Sequence, residues 1–75
     1  MKVSIIGCGY VGLTAGACFA EMGNKVICVD VDFSKIEKLN NGFIPIFEPG
    51  LKEMIVTNLK NKNIFFTTNL FQAIS

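Results

Sequence analysis

Val3-Ser4-Ile5-Ile6-Gly7-Cys8-Gly9-Tyr10-Val11-Gly12 decides the fold. The first four residues form a short apolar run that stops at Gly7. Such a run suits a strand buried on both faces of a parallel sheet. From Val11 the period changes. Val11, Ala15, Cys18, Phe19 and Met22 recur at helical spacing and predict one apolar helix face. Gly23-Asn24 supplies the stop, because glycine accepts the left-handed conformation at a helix end. The helix is expected to start within a residue or two of Tyr10.

Downstream, Val26-Ile27-Cys28-Val29 is a second apolar run, closed by Asp30. Asp32 can cap a helix from Phe33 to about Asn41, with Ile36 and Leu39 inward and Gly42 at its end. Phe43 to Phe47 reads as an apolar loop. Pro49 sits where another helix begins, since its missing N–H would be unpaired there. Leu51, Met54, Ile55 and Leu59 form the stripe of that helix. Ile64 to Thr68 is a third strand, and Asn69 with Gln72 resembles a capping box opening a fourth helix. Strands alternating with helices predict parallel pairing through right-handed crossovers. The fold class is therefore α/β: the first half of a Rossmann doubly wound sheet, three parallel strands in the order 3-2-1.

Gly7-Cys8-Gly9-Tyr10-Val11-Gly12 matches G-x-G-x-x-G, which is weak evidence alone. Here it follows a strand, opens a helix and precedes Asp30, 18 residues after Gly12. Those are the confirming conditions for a dinucleotide site. Gly7 makes the turn, Gly9 lets a pyrophosphate approach the backbone, and Gly12 lets the helix lie close to the strands. The N–H groups of Tyr10, Val11 and Gly12 face the phosphates at the positive helix end. Asp30 can accept from both ribose hydroxyls and would repel a 2′-phosphate, so NAD is expected over NADP. Lys35, one turn into the next helix, could reach the ribose edge, but on its own it reads as a solvated lysine. Cys8 sits at a helix start, which favours a thiolate. It has no base beside it, and cofactor phosphates would fill the adjacent space. Cys18 and Cys28 read as core, and Tyr10 as a wall of the cofactor pocket.

Composition narrows the class. Of 75 residues, 51% are hydrophobic and 17% charged, which excludes disorder. Seven Lys against six acids give +1 with no basic field, so no nucleic-acid partner is expected. With no His, triads and His-ligated zinc are excluded, and the Cys spacing fits neither a metal site nor a disulfide framework. A reducing, cytoplasmic compartment is inferred. Val3 to Ala20 carries no charge across 18 residues and meets the length of a membrane span. Four glycines inside it favour strand, turn and helix instead, and no membrane partner is expected. Since the chain stops just as a new helix starts, residues 1–75 are read as the incomplete amino-terminal part of a larger domain.

Four pieces carry a resemblance: I-I-G-C-G-Y-V-G-L at 5–13, C-V-D-V-D at 28–32, Lys35, and I-P-I-F-E-P-G-L at 44–51. Together they resemble the amino-terminal segment of the UDP-glucose/GDP-mannose dehydrogenase family over residues 1–70. The resemblance implies oxidation of a sugar C6 alcohol to a carboxylate in two NAD-dependent steps, through a thioester on a cysteine far downstream. None of the three cysteines here matches that residue. NAD contacts implied by the resemblance are the Gly7–Gly12 turn, especially Val11, with Asp30 and Lys35. The form of the 44–51 piece points to UDP-glucose as substrate, with UDP-N-acetylmannosamine and GDP-mannose as alternatives. Glu48-Pro49-Gly50-Leu51 is read as a loop-to-helix cap. A homo-oligomer is expected, through the open edge of the first strand. Competing readings are a non-catalytic NAD-sensing module, an FAD or S-adenosylmethionine enzyme with a similar glycine turn, and an inert fragment.

Overall fold

A computed structural model describes residues 1–45 and 47–71. The elements run β1 (Lys2–Ile6), α1 (Tyr10–Glu21), β2 (Lys25–Val29), α2 (Phe33–Asn40), α3 (Leu51–Lys60) and β3 (Ile64–Thr67). The sheet order is β1-β2-β3 with both pairs parallel, the 3-2-1 order expected. Ile5 pairs with Cys28, and Cys28 with Phe66. Past the strands the ladder continues, from Gly7 N–H to the Val29 carbonyl (2.7 Å) and from Asp30 N–H to that of Thr67 (3.2 Å).

Leu13, Leu39, Ile55, Val26, Cys28 and Ile64 are fully buried at the centre of one cluster, with Val3 and Ile5 packed against it. These strand residues share one face by alternation. On the opposite face Ile6 is 66% and Phe65 40% exposed. β1 is thus covered on one face, not on both as its apolar run suggests. Crossovers that advance in one direction with one hand place their helices on the same side.

The α1 face also differs from expectation. Leu13, Gly16, Ala17 and Ala20 are buried. Val11 and Met22 are largely exposed, and Cys18 is exposed rather than core. The helix is apolar nearly all round, so residue size selects its face. Gly16 lies so close to β2 that a Cβ there would stand 3.0 Å from the Cys28 sulfur.

Asp32 caps α2 as expected, its Oδ1 accepting from Lys35 N–H at 3.1 Å. The α3 start is different. Pro49 is not the first helical residue: Leu51 N–H bonds the Glu48 carbonyl (3.2 Å) and Gly50 has φ 86°, ψ −19°. With proline second and glycine third, residues 48–51 have the signature of a type II turn. Leu51, directly after it, enters the core. The loop-to-helix role expected of this segment is what it performs. Asn69 Oδ1 accepts from Phe71 N–H at 3.0 Å. Gln72, the other half of the expected capping box, lies outside the described residues. Among the described residues no helix is long and apolar enough to cross a membrane. The uncharged stretch 3–20 divides into β1, the glycine turn and most of α1.

Candidate functional site

The glycine turn and Asp30 meet at the carboxyl ends of β1 and β2. Gly7 has φ 98°, a conformation that favours glycine. A Cβ on Gly12 would fall 2.2 Å from the Gly7 carbonyl oxygen and 3.3 Å from Ile5 Cγ2. No side chain fits there, so α1 can leave the sheet this tightly only with glycine at 12. Gly9 is the opposite case: a Cβ on it would meet nothing within 4 Å. Its open side is where a ligand can approach the backbone.

The end of α1 is bare. Its N-cap, Gly9, offers no side-chain acceptor, and the first turn holds no acid. The first intrahelical bond of this end runs from Leu13 N–H to the Gly9 carbonyl, 2.9 Å. The N–H groups of Tyr10, Val11 and Gly12 precede it and have no acceptor within the helix. Tyr10 and Val11 are exposed, at 51% and 79%. This end can therefore take an anion.

Asp30 is held from three directions. Its Oδ1 accepts from Asp32 N–H and its Oδ2 from Cys8 N–H, each at 3.0 Å. Lys35 Nζ stands 3.6 Å from Oδ2. The Asp32 and Cys8 amides, followed by the Lys35 charge, hold this carboxyl below the usual carboxylate range. The side chain is only 14% exposed, yet it borders a cavity of about 310 Å³ with Ile6, Gly7, Val29, Val31 and Thr68. An ionised, oriented acceptor at the mouth of a mostly apolar cavity suits a ribose below a flat heterocycle.

The expected site residues thus converge: Gly7, Gly9, Tyr10, Val11 and Gly12 on the turn, Asp30 and Lys35 beside it. Cys8 contributes differently. Its side chain is 2% exposed, and its N–H is committed to Asp30. The thiol meets that of Cys28. Their hydrogen bond pulls the Cys8 thiol down, and with burial it pushes Cys28 up. Two features were missed in the sequence. Tyr10 donates its hydroxyl proton to the Glu48 carboxylate, 38 residues away. A second cavity of about 470 Å³ lies beyond α2, with Lys35, Lys38 and Lys52 around apolar Phe43 and Ile44. It is larger, but no residue of the glycine turn lines it. The smaller cavity is the one where Asp30 and Gly7 meet.

The UDP-glucose/GDP-mannose dehydrogenase family, NAD binding domain, matches residues 1–75. The chain is 52% identical over 73 residues to the UDP-glucose 6-dehydrogenase TuaD of Bacillus subtilis, covering 97% of this chain and 16% of that protein. It superposes on a GDP-mannose dehydrogenase from Pseudomonas aeruginosa, solved as a ternary complex, with TM-score 0.92 and 38% identity over 99% of this chain and 17% of that one. The UDP-N-acetyl-mannosamine dehydrogenase Cap5O of Staphylococcus aureus gives TM-score 0.86 and 38% identity over 92% of this chain and 17% of that one. The chain spans about a sixth of the length of these relatives.

Proposed function

The chain belongs to the UDP-glucose/GDP-mannose dehydrogenase family, within its NAD binding domain, and on that premise we propose that it is the amino-terminal, adenosine-side part of the Rossmann domain of a UDP-glucose 6-dehydrogenase. The complete protein would oxidise UDP-glucose to UDP-glucuronate with two NAD. NAD supplies the hydride acceptor. In this reading the Tyr10, Val11 and Gly12 amides hold the pyrophosphate over Gly9, and Asp30 with Lys35 holds the adenosine ribose. Gly7 and Gly12 set the turn, and Cys8 contributes its backbone alone.

One observation carries the reading: the Asp30 carboxylate fixed by the Cys8 and Asp32 amides at the cavity mouth. A carboxylate anchored by two amides keeps lone pairs for hydroxyls and meets a 2′-phosphate with like charge. The fit extends to the bare α1 end and to the open side of Gly9. The choice of UDP-glucose rests on identity to UDP-glucose 6-dehydrogenases; the GDP-mannose and UDP-N-acetylmannosamine enzymes are the alternatives. Residues 1–75 alone carry no turnover in this reading, since none of their three cysteines matches the catalytic cysteine that the family resemblance places downstream. They are expected to self-associate along the open side of β1, where Ile6 is exposed. Light scattering that gives a monomer would remove that part.

Titration of NAD and NADP against the complete protein tests the core of the proposal. Asp30→Ala should weaken NAD binding by about 1–3 kcal/mol, the scale of a lost charge-assisted hydrogen bond. NADP should lose less. Equal losses for both cofactors would refute the ribose role. A downstream cysteine beside a lysine and an asparagine favours the enzyme over an NAD-sensing module.

A further inference from the structure

Glu48 belongs to the one sequence motif that the cofactor site leaves unused. Its backbone is fixed by the 48–51 turn, and Leu51 anchors that turn in the core. Its carboxylate accepts a hydrogen bond from the Tyr10 hydroxyl. That bond pushes the Tyr10 hydroxyl above its ordinary value. Tyr10 is the first residue of α1 and carries one of the amides at its bare end. Thr14 Oγ1 donates to the Tyr10 carbonyl at 2.8 Å, so ring, carbonyl and amide of one residue belong to one turn of helix.

A second tie joins the far end of α1 to α3 itself. Asn58 of α3 is buried, and its Nδ2 donates to Glu21 Oε1 of α1 at 2.9 Å and to the Met54 carbonyl at 2.8 Å. Thus α1 is held to the 48–60 segment by one side-chain bond near each end. The Asn58 tie is partly buried. The Tyr10–Glu48 tie is exposed and stands at the ligand end.

We propose that Glu48 is a positioning residue for the cofactor turn, setting the α1 amides through the Tyr10 hydroxyl. The inference rests on the NAD-binding reading above. Glu48 itself touches no ligand in this scheme. It fixes the ring of Tyr10 and thereby limits the orientations of the amide beneath it. Losing the tie leaves the fold intact and makes the first turn of α1 less ordered when NAD arrives.

Tyr10→Phe, Glu48→Gln, Glu48→Ala and the Tyr10→Phe/Glu48→Ala pair, made in the complete protein, test this by NAD titration with melting midpoints recorded alongside. Tyr10→Phe and Glu48→Ala should each raise the NAD Kd about 2- to 10-fold, the scale of one net hydrogen bond. The double variant should be no worse than the worse single, since both remove one interaction. Glu48→Gln keeps an acceptor and should return to within about 2-fold of the parent. Unchanged Kd values, or losses that multiply in the double variant, would overturn the role. Glu48→Gln and Tyr10→Phe alter no more than one terminal group each, so they keep the test decisive should Glu48→Ala fold poorly. Absence of NAD binding by the parent would instead refute the cofactor reading on which the inference rests.

Discussion

α1 and α2 both begin where a parallel strand ends, yet they are finished in opposite ways. At α2, Asp32 accepts the Lys35 amide and closes the helix end. At α1, Gly9 provides no side-chain acceptor and the first turn holds no acid. A capped N-terminus has spent its amides on the protein, whereas a bare one keeps them for something else. The cap at α2 also serves α1. It fixes the start of the helix that carries Lys35, whose ammonium lies 3.6 Å from Asp30, which in turn accepts the Cys8 amide. The closed end thus supports the open one.

Giving α1 the cap that α2 has should erase the contrast. Gly9 has φ −77° and ψ −172°, ordinary N-cap geometry, and open space beyond its Cα. Gly9→Asp should leave the fold as stable or slightly more so. It should weaken NAD binding by about 3–4 kcal/mol, the cost of a carboxylate near a phosphate at a partly screened site. Calorimetric titration with undiminished affinity would show that the bare end is not the ligand end. Gly12→Ala attacks the close approach instead. Its Cβ would collide with a backbone oxygen, which cannot step aside as a flexible side chain can. Urea denaturation should register a loss of about 3 kcal/mol, and a loss below about 1 kcal/mol would contradict the tight exit from β1.

The cap at α2 should matter less. Asp32→Ala should cost about 1 kcal/mol of stability and change NAD affinity by under about 0.5 kcal/mol, because the Asp32 amide to Asp30 survives. The smallest effect concerns pH. The folded-state pKa of Asp30 lies below its ordinary value of 3.8, so its contribution is fully present above that value. It is lost as pH falls through the lower folded value. Stability followed between pH 5 and 2 should therefore fall less steeply in Asp30→Asn than in the parent. Parallel curves would mean that the amides do not favour the charged form.

Much of this contrast is legible in the sequence. The strand order follows from apolar runs punctuated by glycine, and Asp32 declares itself a cap by preceding an amphipathic stretch. Two things were not readable. The buried face of α1 cannot be found from hydrophobicity when Val11, Leu13, Ala17 and Met22 are all apolar. Closeness to the sheet selects it, and closeness depends on the smallness of Gly16 and Ala17, which a period count does not weigh. The Tyr10–Glu48 tie joins residues 38 apart and depends on how α3 is laid against α1. The sequence marks both motifs as unusual but contains no sign that they touch. Pro49 was misplaced for a related reason. A proline before a glycine suits a type II turn as well as a first helical turn, and the left-handed φ of Gly50 decides between them.

The three thiols lie at different depths, which gives the molecule its own clock. Cys18 faces solvent, while Cys8 and Cys28 are closed against each other beneath the glycine turn. An alkylating reagent should consume exposed Cys18 first. The other two must wait for an opening of the structure, so their labelling half-times count its excursions. Cys8 belongs to the turn and Cys28 to the central strand, so a gap between their half-times separates a breath of the turn from a rupture of the sheet. A ligand resting on the turn would lengthen the first interval before the second.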